Sequence, residues 1–391
     1  MSICERRIVC LTGGTGFRFV ARALAARYPN PTTVHVIGTA DSGRSTRQLR
    51  MFFDMPAIGD LRSRCIDLAD RRSPGFREIT DLLAYRLPIK ADKPALEIEL
   101  ASIIDGSHKL TKAALVGNRK FAKIILANLK RFDSARKTIE RTKGPFDLRE
   151  GSIGNFFLTG AYLDCGDISA AIFLYEKLAG VRGQVLPASE DIMHLAMETA
   201  DGQVVVGQHN ITKNELTSTS QRLFFLERED PRAKEIQPKL SAEAAEAIGS
   251  ANMIVFSMGS FYTSILSSLH LMGMAEAVRK SHALKVFIPN TIEDPEIRGL
   301  TTVEMVKRLV TTLVTQDAGR VGANISDYLQ VIITGNYSET LNLKAGQKLI
   351  PNDINNLRGF RLERTPLIAA GNQKGYYQPE PLADMLARLD F

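Results

Sequence analysis

Cysteine is scarce in this sequence, long apolar runs are missing, and histidines are never paired. Cys4, Cys10, Cys65 and Cys165 form no CxxC and no metal-like pairing, so neither a disulfide framework nor a thiolate metal centre is expected, and all four read as buried filler. The most apolar stretch, 256–278, is broken by Ser257, Ser260, Thr263, Ser267, Ser268 and His270, and so falls short of the ~18–20 residues a membrane span needs. Glu5, Arg6 and Arg7 follow closely on Met1 with no apolar leader behind them; the expectation is a cytoplasmic protein with no membrane partner. His35, His108, His194, His209, His270 and His282 contain no HxxxH or HExxH pair, so histidine-ligated zinc is not expected. A GxSxG elbow for acyl transfer and the Gly-Lys-Ser/Thr of a P-loop are also missing, as are internal repeats and low-complexity tracts.

What is present is an ordinary globular composition: 391 residues, 44% hydrophobic and 24% charged, long enough for a sizeable core. The basic balance, 50 Lys and Arg against 43 Asp and Glu, is local. Between Lys109 and Lys143 eleven bases stand against two acids. Leu110, Phe121, Ile124, Ile125, Leu126, Leu129 and Phe132 recur there at helical spacing, which predicts one or two amphipathic helices with a basic outer face. A solvated face is the favoured reading over an anion or nucleic-acid patch, and nucleic acid is not an expected partner.

The first forty residues alternate in the α/β manner. Ile8–Leu11 is a continuous apolar run, as suits a strand buried on both faces of a parallel sheet. It stops at Gly13-Gly14-Thr15-Gly16, and 17–28 then has helical spacing. Residues 33–38 supply a second β-branched run that ends at Thr39-Ala40-Asp41, completing a β-α-β unit. Asp60 is expected to cap a helix reaching about Asp70. No strand is expected over 73–144. Further on, a hairpin is expected near 195–206, capped helices at Ser241 and Thr301, and buried strands at 253–256, 284–288 and 328–333. After 253–256 a turn at Gly259-Ser260 should lead into a helix running to about Lys280. The fold class expected is α/β: a doubly wound, mainly parallel Rossmann-like sheet with a helical insertion.

In such sheets ligands sit beyond the carboxyl ends of the strands, and four loops there are unusual. Gly13, Gly14, Thr15 and Gly16 would let backbone N–H groups approach an anion at a helix start; a tight turn without a ligand is the alternative. The loop after Asp41 carries Ser42, Arg44, Ser45, Thr46, Arg47 and Arg50, a set suited to phosphate. Asp41 among these cations would be a metal ligand or general base, or else a plain N-cap. Asn155, beside Gly154, offers a donor and an acceptor at a helix start. Gly259, Ser260 and Thr263 form a hydroxyl-rich helix entry, and Asn290 ends the next strand. Asp60 and Arg62 could face the same rim.

Taken in order, Gly13-Gly14-Thr15-Gly16, Ala40-Asp41-Ser42-Gly43, Gly59-Asp60-Leu61-Arg62, Ser152-Ile153-Gly154-Asn155, Arg182-Gly183-Gln184-Val185-Leu186-Pro187-Ala188, Gly259-Ser260-Phe261-Tyr262-Thr263-Ser264-Ile265 and Asn290 resemble the superfamily of 2-phospho-lactate transferases (CofD) and bacterial gluconeogenesis factors (YvcK). The resemblance runs from about residue 7 to 335 and implies a nucleotide-binding sheet; the basic helical insertion at 73–144 and a C-terminal extension at 340–391 lie outside it, within what the chain's own pattern predicts to be a single domain over 1–391. The resemblance further implies a nucleoside diphosphate or nucleotide-sugar ligand, Mg2+ at Asp41, and a homodimer. One branch transfers a substituted phosphate group to an acceptor hydroxyl. The other binds a UDP-sugar and regulates carbon metabolism and cell shape without established catalysis. Where the second branch has two successive acids this chain has Asp41-Ser42, and where that branch has Gly-His it has Glu150-Gly151.

Overall fold

A computed structural model describes residues 6–27, 33–199, 202–213, 222–317, 324–336, 343, 346–369, 371 and 374–389. Its centre is a seven-stranded sheet made of β1 (Ile8–Thr12), β2 (Thr33–Ile37), β3 (Gln184–Pro187), β8 (Met253–Phe256), β9 (Leu284–Phe287), β10 (Val331–Gly335) and β11 (Arg361–Thr365). The order across it is β11-β10-β9-β8-β1-β2-β3 and every pairing is parallel. Strands β1, β2, β8 and β10 are buried along their whole length. Successive β1 side chains serve opposite faces: Ile8 and Cys10 pack into one core layer, Val9 and Leu11 into the other. That period of two, with both faces covered, is why β1 and β8 read as unbroken apolar runs.

From β1 the chain winds outward through β2 to β3, and later through β8, β9 and β10 to β11 on the other side. The winding therefore reverses between β1 and β8. Parallel sheets open a crevice at such a reversal, because the connections leave in opposite directions. Here the loops on either side of it are the glycine turn after β1 and the Gly259 loop after β8.

Between β3 and β8 the chain forms a second, antiparallel sheet in the order β5-β4-β6-β7. Its strands are β4 (His194–Glu198), β5 (Val204–Val206), β6 (Arg222–Leu226) and β7 (Glu235–Ile236); β4 and β5 make the expected hairpin. Helices Phe76–Ala84, Lys93–Asp105, Lys109–Gly117 and Arg119–Lys143 fill the region read as helical, and Ser241 and Thr301 cap their helices through their side chains. Among the described residues no helix is long and apolar enough to cross a membrane.

Several local expectations need correction. Cys10 and Cys65 are buried but Cys165 is exposed, and Cys4 lies outside the described residues. The helix expected from Gly259 to Lys280 is a π-helical turn at Phe261–Leu266 that runs into one short α-helical segment, Ser267–Leu269, and then, after a break, Met274–Lys280. Asp60 is not a cap: Ile58 is the N-cap of Gly59–Leu68, and Asp60 sits inside its first turn. Strands β3 and β11 were not anticipated, since Gln-Val-Leu-Pro and Arg-Leu-Glu-Arg-Thr lack the apolar run of a central strand and lie at the sheet's two edges.

Candidate functional site

The glycine turn is wedged between two helix starts. A Cβ at Gly13 would come within 2.7 Å of Ser264 Oγ, one at Gly16 within 2.7 Å of Gly259 Cα, and one at Gly14 would collide with Asp60 Oδ1. Glycine is required here by close approach alone. Gly13 and Gly14 are buried whereas Thr15 and Gly16 are exposed at the start of helix Arg18–Arg27. The face open to a ligand is therefore the second half of the turn.

Thr15 and Gly16 line one wall of a cleft of about 500 Å³, with Gly259, Ser260, Asn290 and Asp294 opposite. It lies in the crevice between the β1 and β8 loops, at the winding reversal. Phe19 and Tyr376, 41% and 45% exposed, also line it, so aromatic surface is left open to solvent there. Asn290 is committed to the Gly259 loop, its Oδ1 accepting from Gly259 N at 3.0 Å and its Nδ2 donating to Gly259 O at 2.8 Å. Nδ2 also donates to Asp294 Oδ2 at 3.1 Å. Burial, then the neighbouring Glu296 charge, pushes Asp294 up to about 6.

On the other side of the turn two carboxylates converge. Asp41 Oδ1 accepts from Gly43 N at 2.8 Å, a local turn rather than the N-cap role, which falls to Gly43. Its Oδ2 would stand 2.9 Å from a Cβ on Gly59, the residue next to Asp60. Burial raises Asp41 above the ordinary carboxylate range, and burial followed by the Asp41 charge pushes Asp60 up to about 7. Both acids are thus poorly solvated and repel each other.

Other expected residues are engaged elsewhere. Arg47 forms an ion pair with Glu229, with Nε–Oε distances of 2.9 and 3.0 Å. Arg50 is buried and donates to Asp41 O at 3.1 Å, bracing the loop from beneath. The Arg44 side chain lies outside the described residues. Asn155 is buried; its Oδ1 accepts from Arg62 Nε at 3.1 Å and its Nδ2 donates to Ser45 Oγ at 3.3 Å, tying the first turns of three helices together. Thr263 Oγ1 donates to Glu296 Oε1 at 2.6 Å, while the N–H groups of Tyr262 and Thr263 both donate to Oε2 at 3.1 Å. A buried protein carboxylate, Glu296, thus accepts from the start of the π-helical turn. Glu296 gave no sequence signal, because it reaches that turn from the loop after β9.

The 2-phospho-L-lactate transferase CofD family model matches residues 8–364. The chain belongs to this family. An uncharacterized protein of Saccharomyces cerevisiae is 24% identical over 353 residues, 73% of this chain and 77% of its own. A gluconeogenesis factor of Halalkalibacterium halodurans is 27% identical, covering 78% of this chain and 73% of its own. A crystal structure of a Bacillus halodurans protein of the UPF0052 family superposes with a TM-score of 0.70 at 21% identity, covering 97% of this chain and 99% of that one. The fold is shared across that whole length.

Proposed function

We propose that the protein binds a nucleoside diphosphate ester that runs from the β1–β8 crevice across the glycine turn to Asp41 and Asp60, and transfers its substituted phosphate group to an acceptor hydroxyl. The observation that carries this reading is the convergence of Asp41 and Asp60 beside the glycine turn. The N–H groups at Thr15, Gly16 and the helix start behind them suit the diphosphate. Two desolvated carboxylates suit Mg2+, which commonly takes one or two protein carboxylates and completes its shell with phosphate oxygens and water. Among the described residues no group of three or more acids, histidines or cysteines could hold a metal by itself, so the ligand would have to supply the rest. Bound Mg2+ would neutralise charge on the diphosphate as the bond to phosphorus breaks. With both acids holding the metal, the hydroxyl's proton would pass to water as its oxygen attacks phosphorus and the nucleoside monophosphate leaves.

Relatives named gluconeogenesis factor leave room for a regulatory role, and in our second reading the same pocket binds a UDP-sugar without turnover. Calorimetry with GDP, UDP and UDP-sugars, each with and without Mg2+, separates the two. Metal-dependent binding supports the transferase site. Metal-independent binding of the sugar nucleotide supports the sensor. No heat or thermal shift with any of them at millimolar concentration overturns both.

A further inference from the structure

Beneath the glycine turn lies a buried cation that neither reading of the site uses. Arg64 belongs to helix Gly59–Leu68 and is 0% exposed. One end of its fork reaches the turn: Nη2 donates to Gly13 O at 2.9 Å and to Thr12 Oγ1 at 3.3 Å. Among the described residues its Nε and Nη1 have no hydrogen-bond partner.

The surroundings do little to balance that charge. The thiols of Cys10 and Cys65 are pushed up by burial, Cys10 to about 12, and His35 is held well below its ordinary range by burial and then by Arg64 itself. All three are neutral at physiological pH. Asp67 is the acid paired with it, yet Oδ2 stands 3.9 Å from Nη1, while Oδ1 takes Arg22 at 2.6 Å and Arg18 at 3.2 Å. Asp60, one helical turn back, is turned toward Gly14. A guanidinium taken out of water without a close counter-ion is costly, and such a cost is characteristic of functional sites.

We infer that Arg64 is a positioning residue for an anion on the glycine turn: it holds the Gly13 carbonyl inward, so that the following N–H groups face the crevice, and it supplies the charge that a bound diphosphate completes. The inference rests on the diphosphate reading of the crevice. Burial protects this charge from the screening that weakens exposed Arg47, so it acts on the turn even at physiological salt.

The test separates the charge from the hydrogen bond. Arg64→Lys keeps the charge and loses the fork; Arg64→Gln keeps a donor for Gly13 O and loses the charge. With inorganic pyrophosphate and GDP as probes in calorimetry, Arg64→Gln should weaken binding about tenfold or more, and Arg64→Lys should stay within about threefold of the unmodified chain. A merely structural role predicts the opposite order, and that result would overturn the inference. Each variant decides the question separately if the other fails to fold. If the unmodified chain binds pyrophosphate and both variants match it, the inference alone fails. If it binds neither probe, the diphosphate reading falls and the inference with it.

Discussion

At the scale of single residues, Asp60 links the site to stability. Its folded-state pKa, about 7, lies above the ordinary carboxylate value, so the folded chain holds the proton more tightly than the unfolded one. Its contribution to stability is therefore complete below about pH 4 and is lost as pH rises toward about 7. The metal-free protein should become less stable between about pH 5 and pH 8, and Asp60→Asn should remove part of that slope and gain on the order of 1 kcal/mol at the higher pH. Urea unfolding at both pH values measures it; an unchanged slope in the variant would assign the loss to other raised acids such as Glu176, also at about 7. Because Mg2+ needs the ionised carboxylates, its stabilisation should be larger at the higher pH. Glu296 behaves differently, since it is buried and accepts from Thr212, Tyr262 and Thr263. Glu296→Ala should cost ~3 kcal/mol in the same assay by stranding those donors, whereas Glu296→Gln should cost less, because the hydroxyls can turn to accept.

Among elements, the long helix Arg119–Lys143 shows what a one-dimensional charge count conceals. Its apolar spacing was legible and its ends nearly so, since Asn118 caps it through its side chain. The basic outer face was only partly right. Arg136 is fully buried, held by Glu97 at 2.7 Å, Asp133 at 2.6 Å and Glu140 at 3.1 Å. Glu97 comes from helix Lys93–Asp105, so nothing in the local pattern marks Arg136 as different from Lys130 or Lys137. Arg136→Ala leaves three acids facing one another in a partly buried pocket and should cost ~3–5 kcal/mol near neutrality. Protonating those acids should shrink the loss at low pH. An equal loss at both pH values would point to packing rather than charge. The π-helical turn at Phe261–Leu266 was equally hidden, because its register depends on Glu296, which arrives from a distant loop.

For the whole molecule, the sequence carried the strands and the turns but not their order. β1, β8 and β10 announce themselves by apolar runs because they are central, and β2 and β9 by runs that His35 and Lys285 interrupt. β3 and β11 do not, because they lie at the two edges, and the order that sets β8 rather than a later strand beside β1 carries no local signal at all. The crevice is a property of strand order, so Thr15, Gly16, Gly259, Ser260 and Asn290 could be assigned to one rim of the sheet, but which of them meet across one cleft could not be read. The approach of Asp60 to Gly14 was hidden for the same reason.

The strongest charge in the sequence and the strongest topological site are thus different places, and that difference is testable. Lys120, Lys123 and Lys130 are exposed on the long helix, and none lines the cleft between the β1 and β8 loops. Reversing all three to Glu changes the charge by six, yet at 0.15 M salt exposed charges beyond a Debye length of ~8 Å are largely screened. Nucleotide affinity should therefore stay within about twofold, and the melting temperature within a few degrees, because surface charges away from packed features contribute little. Calorimetry at two salt concentrations checks both the affinity and its screening. A tenfold drop, ~1.4 kcal/mol, that vanishes at high salt would mean that the basic face steers the ligand from a distance. A drop that survives high salt would place the helix at the mouth of the crevice and make those lysines part of the binding site.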